Sequence, residues 1–552
     1  MAPQAGNRGV KPSGLDATLL YSGKWYRHTH LVLLNIVLIV PLVSSYANGY
    51  DGSMMHVIVY TGHRHPRNLC ALRNGLQSVA QWQAFFKHPA AQQLGLLNAI
   101  QSIGSLCATF PAPYASDYFG RRPTIMVGSI VVLCGSILQA CTQTIGMFIA
   151  SRFLIGLGTT FTQMASPLLI SEISYPTQRG PLTSLYNSLW SSGHIVAAWT
   201  TFGTFRITSN WSWRIPSALQ GLSSVIQVLF IWFVPESPRW LYSKGRHAEA
   251  RALLARYHTG GDDSHPLIAY EMREIKDALE IEAEQARISW LDLFRTPGNR
   301  RRMRVIMAIA LFSQLSGNGL TSYYLSRVLN SVGITRPADQ TLINGVLAIY
   351  SFAVAATASM FVEKAGRRPL FLVSTAGMAV AFACLTACAG VFQTSGDKAA
   401  AHGVIAFIFV GATFYPLAYT PLLVSYTVEL LPFFLRAKGL AVMNLTVLSA
   451  IIFNQYTNPI ALQAIQWKYY LIYTVWIFIE LGFVYLYVVE TKGRSLEETA
   501  VLFDGEDAVE ELAQRARAEA DEAARADAAE DEDEKKAEPE IVMSEHSRFA
   551  TV

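Results

Sequence analysis

This chain is divided into apolar stretches of about 20 residues, each long enough to cross some 30 Å of hydrocarbon as a helix. The first contains "LVLLNIVLIVPLV", and others follow at short intervals almost to residue 490. Hydrophobic residues make up 51% of the chain and charged ones only 15%, where a soluble protein would carry about 25% charge. Mean hydropathy is +0.26. The charges gather in the tails, around 244–304, and in short runs between apolar segments. The class implied is a polytopic all-α membrane protein.

Twelve candidate spans are expected. They begin near residues 31, 94, 124, 145, 184 and 214, then near 303, 341, 368, 402, 439 and 468. The domains expected are an N-terminal tail (1–29), a six-helix bundle (30–240), a cytoplasmic helical domain (241–300), a second six-helix bundle (301–492) and an acidic, partly disordered tail (493–552). The 241–300 stretch has helical periodicity, but its charges surround every face, so it cannot span. Arg and Lys in short loops set the orientation. "GRRP" at 120–123, "GRRP" at 366–369 and the 241–304 block fall on one side if both termini are cytoplasmic.

The two GRRP loops belong to a longer repeat. "SDYFGRRPTIMVGS" and "VEKAGRRPLFLVST" place Asp117 and Glu363 three residues before Gly120 and Gly366. "SEISYPTQRG" and "VELLPFFLRAKG" each carry Glu-x6-Arg, as Glu172/Arg179 and Glu429/Arg436. Paired motifs in register point to two six-helix halves, the layout of many secondary transporters. The six cysteines show no metal-ligand spacing, and no metal or cofactor is expected. No nucleophile–base set or phosphate loop is present, which argues against an enzyme. His56, His63 and His65 fall in an atypical extracellular insertion, 56–73, with no frame to make a metal site.

With "SRFLIGLG", "PESPRWL", "QLSGNGLTSYY" and "ETKGRSLEE" added to the GRRP loops, the chain resembles the sugar porter family of the major facilitator superfamily over about 30–500. Its wording ("GYDGSMM", "LYNSLW", "AAWTTFGT") is similar to fungal disaccharide porters of the lactose-permease type. The resemblance implies a cytoplasmic gate of ion pairs between the halves. Its members would be Asp117, Arg121, Arg122, Glu172, Arg179, Glu236, Arg239, Glu363, Arg367, Arg368, Glu429, Arg436 and Glu490. It also implies proton coupling through Asp51 in the first span and Arg152 in the fourth, since proton-coupled members carry an acid and an arginine there. Ionisable groups at membrane depth are costly and mark functional sites.

A sugar calls for neutral hydrogen-bonding groups and aromatic walls. The candidates are Asn187 and Trp190 in the fifth span, Gln314, Asn318, Tyr323 and Tyr324 in or beside the seventh, and Asn444 in the eleventh. Ser313, Val424, Val447 and Leu448 depart from the common hexose pattern, and smaller walls leave room for a second ring. The function expected is proton-coupled import of a neutral sugar, such as lactose or a related oligosaccharide, by a monomer in the plasma membrane. The partners are the sugar, the proton and the bilayer, with no nucleic acid. The alternatives are a passive hexose or polyol facilitator and a non-transporting sugar sensor.

Overall fold

The computed structural model describes Tyr21 and residues 25–54, 80–87, 89, 91–204, 206–287, 289–320, 329, 337–432, 435–492 and 503. Twelve long helical segments run through them, six in each half. In the first half they are Thr29–Met54, Ala91–Thr109 continued by Pro111–Phe119, Arg121–Ala140, Ile145–Ile173, Arg179–Thr204, and Trp211–Leu219 continued by Leu222–Phe230. In the second half they are Pro297–Leu315, Pro337–Ala365, Arg367–Ser395, Lys398–Leu430, Arg436–Ile465 and Lys468–Tyr487. They are called spans 1 to 12 below.

Eight of these are long and apolar enough to cross a membrane by length and composition, namely spans 1, 3, 4, 6, 9, 10, 11 and 12. Two starts differ from the sequence expectation by five or six residues. Span 5 begins at Arg179 and span 7 at Pro297. In both, a polar turn continues the helix beyond its apolar run, so hydropathy alone places the start too late. Span 2 is interrupted at Phe110, where Pro111 opens the next segment. A proline has no N–H to extend the ladder.

The stretch between the halves folds as the helices Pro238–Ser243, His247–His258, Pro266–Arg287 and Asp292–Arg295. A buried histidine ties it to the bundle. His258 Nδ1 lies 2.8 Å from a Glu271 carboxylate oxygen, and its Nε2 lies 2.9 Å from the Ile173 carbonyl at the end of span 4.

Within the first half, spans 1 and 5 approach almost backbone to backbone. A Cβ on Gly49 would meet the Trp190 carbonyl oxygen at 1.8 Å, and one on Gly193 would meet that of Tyr46 at 2.1 Å. Helices in lipid gain nothing from excluding apolar surface, so small residues that permit close packing hold them together. The halves meet where span 2 packs on span 11 and span 5 on span 8. Ser102 donates a 2.9 Å hydrogen bond to the Gln455 side chain at the first of these contacts.

Gly193→Ala should force spans 1 and 5 apart, with an overpacking cost of about 1–3 kcal/mol. A fall in melting temperature of the purified protein is expected. An unchanged melting temperature would mean that the two helices separate without penalty.

Candidate transport site

Polar side chains from both halves converge on a cavity of about 640 Å³. Span 1 contributes Asn48, span 4 Gln163, and span 5 Asn187, Trp190 and His194. Span 7 contributes Gln314 and Asn318, span 8 Asn344, and span 10 Tyr415 and Tyr419. Among the described residues, no carboxylate, lysine or arginine lines it. The walls therefore offer amide donors and acceptors together with flat aromatic faces. Trp190 is 44% exposed, and its ring lies 5.8 Å from that of His194. Gln314 is held at both ends. Its side chain donates to Ser313 Oγ at 3.2 Å, and its carbonyl accepts from Asn454 at 2.6 Å.

A second lobe of about 500 Å³ adjoins the first, sharing Asn48, Gln163, Trp190 and Ile451. Asn444, Val447 and Leu448 line this lobe, as do Gln101, Arg152 and Thr159. Of the candidate sugar residues, Asn187, Trp190, Gln314 and Asn318 thus share one lobe, and Asn444 sits in its neighbour. Tyr323 and Tyr324, like the insertion at 56–73, lie outside the described residues.

Asp51 and Arg152 are both buried, 1% and 3% exposed. They do not form a direct ion pair here. Asp51 Oδ2 accepts from Thr159 Oγ1 at 3.3 Å, on the same span as Arg152. The Arg152 guanidinium donates to the Leu97 carbonyl at 2.8 Å and to the Gln101 side chain at 2.7 Å, both on span 2. One Asp51 oxygen and one Arg152 nitrogen have no hydrogen-bond partner among the described residues. Arg152 lines the second lobe, whereas Asp51 lies behind Thr159 and does not. The placing of both charges inside apolar spans, together with the family resemblance, suggested a closed pair; the hydroxyl of Thr159 and the amide of Gln101 stand in the partner positions instead.

At the GRRP end the two halves repeat one cluster. In the first, Arg121 makes a two-pronged contact with Glu172, at 3.1 and 3.2 Å, and reaches Asp117 at 3.2 Å. The Glu236 carboxylate accepts from the backbone N–H groups of both Arg121 and Arg122. In the second, Arg367 grips Glu429 at 2.8 and 3.1 Å. The Glu490 carboxylate accepts from the backbone of Arg367 and Arg368 at 2.9 and 3.1 Å. Glu236 and Glu490 therefore cap the N-termini of spans 3 and 9, where unpaired N–H groups and the helix dipole favour an anion. The preceding Gly120 and Gly366 have φ of 102° and 90°. A Cβ there would meet the capping carboxylate at 2.5 and 2.8 Å.

These pairs close within each half, where pairs between the halves were expected. Each GRRP loop is tied covalently to the helices on either side of it, which brings its arginine over the acid of its own bundle. Arg179 turns to the intervening domain, 2.9 Å from Glu274 and 3.8 Å from Glu271, and Arg239 pairs with Glu282 at 2.6 Å. The Arg436 Nε donates to the Leu431 carbonyl. The Glu363 side chain lies outside the described residues.

The family model described as "Sugar (and other) transporter" matches residues 37–503. The chain belongs to this family, the sugar porters of the major facilitator superfamily. Among curated relatives, an MFS-type transporter, criB, of Aspergillus cristatus is 27% identical over 84% of this chain and 92% of its own length. A high-affinity glucose transporter of Kluyveromyces lactis is 25% identical over 87% of this chain and 86% of its own. A solved structure of the xylose transporter XylE from E. coli in its inward open conformation has the same fold. Its TM-score is 0.68 at 20% identity, covering 85% of this chain and all of that one.

In this sugar porter, Asn48, Gln163, His194 and Asn344 were missed from sequence. Each is a polar side chain inside an apolar helix, the same signal that picked out Asn187. It is too common along spans 1, 4, 5 and 8 to identify the cavity face without the packing.

The two caps differ in their electrostatics. Burial pushes the Glu236 carboxyl above its ordinary range, against the backbone N–H groups of Ser237, Arg122 and Arg121. Burial opposes ionisation of Glu490 too, but four backbone N–H groups prevail and hold it below that range. A depressed carboxyl contributes stability above its unfolded value, near pH 4, and loses it as the pH falls through the folded value. A raised one contributes only below its unfolded value and loses this as the pH rises. Glu490→Gln should therefore cost at most about 1 kcal/mol at pH 7, since solvent screens this partly exposed group, and progressively less below pH 4, while Glu236→Gln costs less at pH 7. Melting curves at pH 7 and below pH 4 measure this; equal costs would show the caps to be equivalent, and the reverse order would show them misassigned.

Proposed function

We propose that the chain imports a neutral sugar together with a proton by alternating access. It would act as a monomer in the plasma membrane with the GRRP end and both termini in the cytoplasm. The observation that carries this is the uncharged, amide- and aromatic-lined cavity between the halves. Its volume is in the range of small-ligand sites, and it suits a solute rich in hydroxyls. The adjoining lobe supports a substrate of two rings, a disaccharide such as lactose. Relatives named for glucose and for polyols make single-ring solutes the competing substrates.

In this mechanism Trp190 and His194 provide a face for a ring, and Asn187, Gln314 and Asn318 replace the water around its hydroxyls. The clusters around Glu236 and Glu490 brace each half as one body. The halves can then rock about the contacts of span 2 with span 11 and of span 5 with span 8. The states exchanged by such a motion must lie within a few kcal/mol of each other. Uptake of labelled hexoses, disaccharides and polyols in cells lacking their own carriers tests the reading. Accumulation of a disaccharide is expected, and transport confined to single-ring solutes would overturn that choice.

Gln314→Ala should raise the apparent KM about two- to tenfold, the loss of one hydrogen bond of roughly 0.5–1.5 kcal/mol. Unchanged sugar binding with a collapsed melting temperature would make Gln314 a tie between helices, since its carbonyl is already bound by Asn454.

Asp51 is proposed to carry the proton. Asp51→Asn keeps the shape and an oxygen to accept from Thr159, but it cannot titrate. Concentrative uptake should disappear while downhill exchange persists. Addition of sugar should acidify the interior of cells with the wild type and not of cells with the variant. A variant that still concentrates sugar with the same proton influx would show Asp51 to be structural.

A further inference from the structure

At the base of span 7 a groove of about 460 Å³ has no part in the cavity described above. It is lined by Phe294, Pro297, Arg300, Arg301, Arg304 and Met307. Positions 300, 304 and 307 fall on one face of the helix. Arg300, Arg301 and Arg304 are exposed, and none of their guanidinium groups has an ion-pair or hydrogen-bond partner among the described residues. Two neighbouring arginines are accounted for. Arg302 is turned inward, 1% exposed, with its guanidinium 5.1 Å from the Phe503 ring centre. Arg295 lies 3.7 Å from Asp292. Three guanidinium groups thus face one groove with no carboxylate among its described walls.

The groove is also amphipathic along its length. Met307 lies about 10 Å beyond Arg300 at 1.5 Å per residue, within the apolar part of the span. On the other side, the short segment before the helix exposes Trp290 (54%), Leu291 (75%) and Phe294 (44%). A tryptophan with aliphatic and aromatic neighbours beside a basic cluster suits the boundary between headgroups and acyl chains.

We propose that this groove binds an anionic phospholipid of the bilayer whose headgroup carries more than one phosphate charge. The three arginines would hold the phosphates, and an acyl chain would lie along Met307 and Phe294. Guanidinium groups form paired hydrogen bonds with phosphate oxygens. A basic pocket at the membrane surface is a known way of selecting such lipids. The continuation of the groove into the apolar zone favours a lipid over a free phosphate compound. The chain's own acidic run, "EDEDE" at 530–534, is the competing occupant.

The test uses the full chain in nanodiscs of phosphatidylcholine, with and without a few per cent of phosphatidylinositol 4,5-bisphosphate. The lipid should raise the melting temperature of the wild type. In the triple variant Arg300→Gln/Arg301→Gln/Arg304→Gln, apparent lipid affinity should fall roughly a hundredfold, with the melting temperature in pure phosphatidylcholine unchanged. Arg295→Gln should respond like the wild type. Equal lipid stabilisation of the triple variant and the wild type would overturn the proposal. So would equal protection by soluble inositol trisphosphate, which would assign the groove to a free phosphate compound. A lipid effect that emerges only after deletion of residues 530–534 would assign it to the tail.

Discussion

Hydrocarbon offers no partner to a polar atom, and the arrangement of this protein follows from that constraint. Backbone groups in the spans must be paired inside the chain, which imposes helices. Side-chain amides, hydroxyls and charges must then be turned toward one another or toward water. Asn454 is spent on the Gln314 carbonyl, Asn458 on Asn454, and the hydroxyls of Tyr469 and Tyr473 on Asn458. This network ties spans 7, 11 and 12 into one body. Asn187, Asn318, Asn344 and Gln163 are placed instead on the cavity. Apolar helices can carry so many amides because part of the set is buried in mutual pairs and the rest surrounds an aqueous space.

The same division explains the GRRP clusters. A helix that begins at the membrane surface presents unpaired N–H groups, and in spans 3 and 9 a carboxylate from the far end of the same half covers them. Glu236 follows span 6 and Glu490 follows span 12, so each cap joins the last helix of its half to the third. The arginine side chain of each loop meanwhile holds span 4 or span 10 through Glu172 or Glu429. Three helices in each half are thereby fixed at one end by a single loop. Exposed ion pairs are worth little, but Arg121 and Glu172 are largely shielded, with side chains 11% and 8% exposed, and the contact is two-pronged. It suits a brace more than a latch that opens in every cycle.

Much of the fold could be read from the sequence because bilayer thickness fixes helix length. Ten of the twelve starts fell within about four residues, and the exceptions at Arg179 and Pro297 carry polar first turns that hydropathy does not register. The repeat of GRRP and Glu-x6-Arg identified which charges belong together in kind. It could not say which partner each faces, because a repeat relates the halves by symmetry and is silent on whether a contact closes within one half or across both. The cavity was readable in part. Asn187, Trp190, Gln314 and Asn318 converge there, but Asn48, Gln163 and His194 needed the helix rotations that only packing supplies.

The separation of Asp51 from Arg152 bears on how coupling could work. A closed ion pair would hold both charges in a deep minimum, and breaking one at that depth is costly. Here each charge has other company. Arg152 is anchored to span 2 through Leu97 and Gln101, and Asp51 is reached through Thr159 on span 4. Thr159 lines the aqueous lobe while donating to the acid behind it, so a modest rotation of span 1 against span 4 would change how far Asp51 is exposed to water. Span 1 is meanwhile held against span 5 by the contacts of Gly49 with the Trp190 backbone and of Gly193 with that of Tyr46. Where span 5 moves, span 1 is carried with it, because Gly49 lies against the Trp190 backbone. The cavity wall at Trp190 and the helix bearing Asp51 are thus mechanically joined, and this provides a physical route by which occupancy of the cavity could alter the surroundings of Asp51.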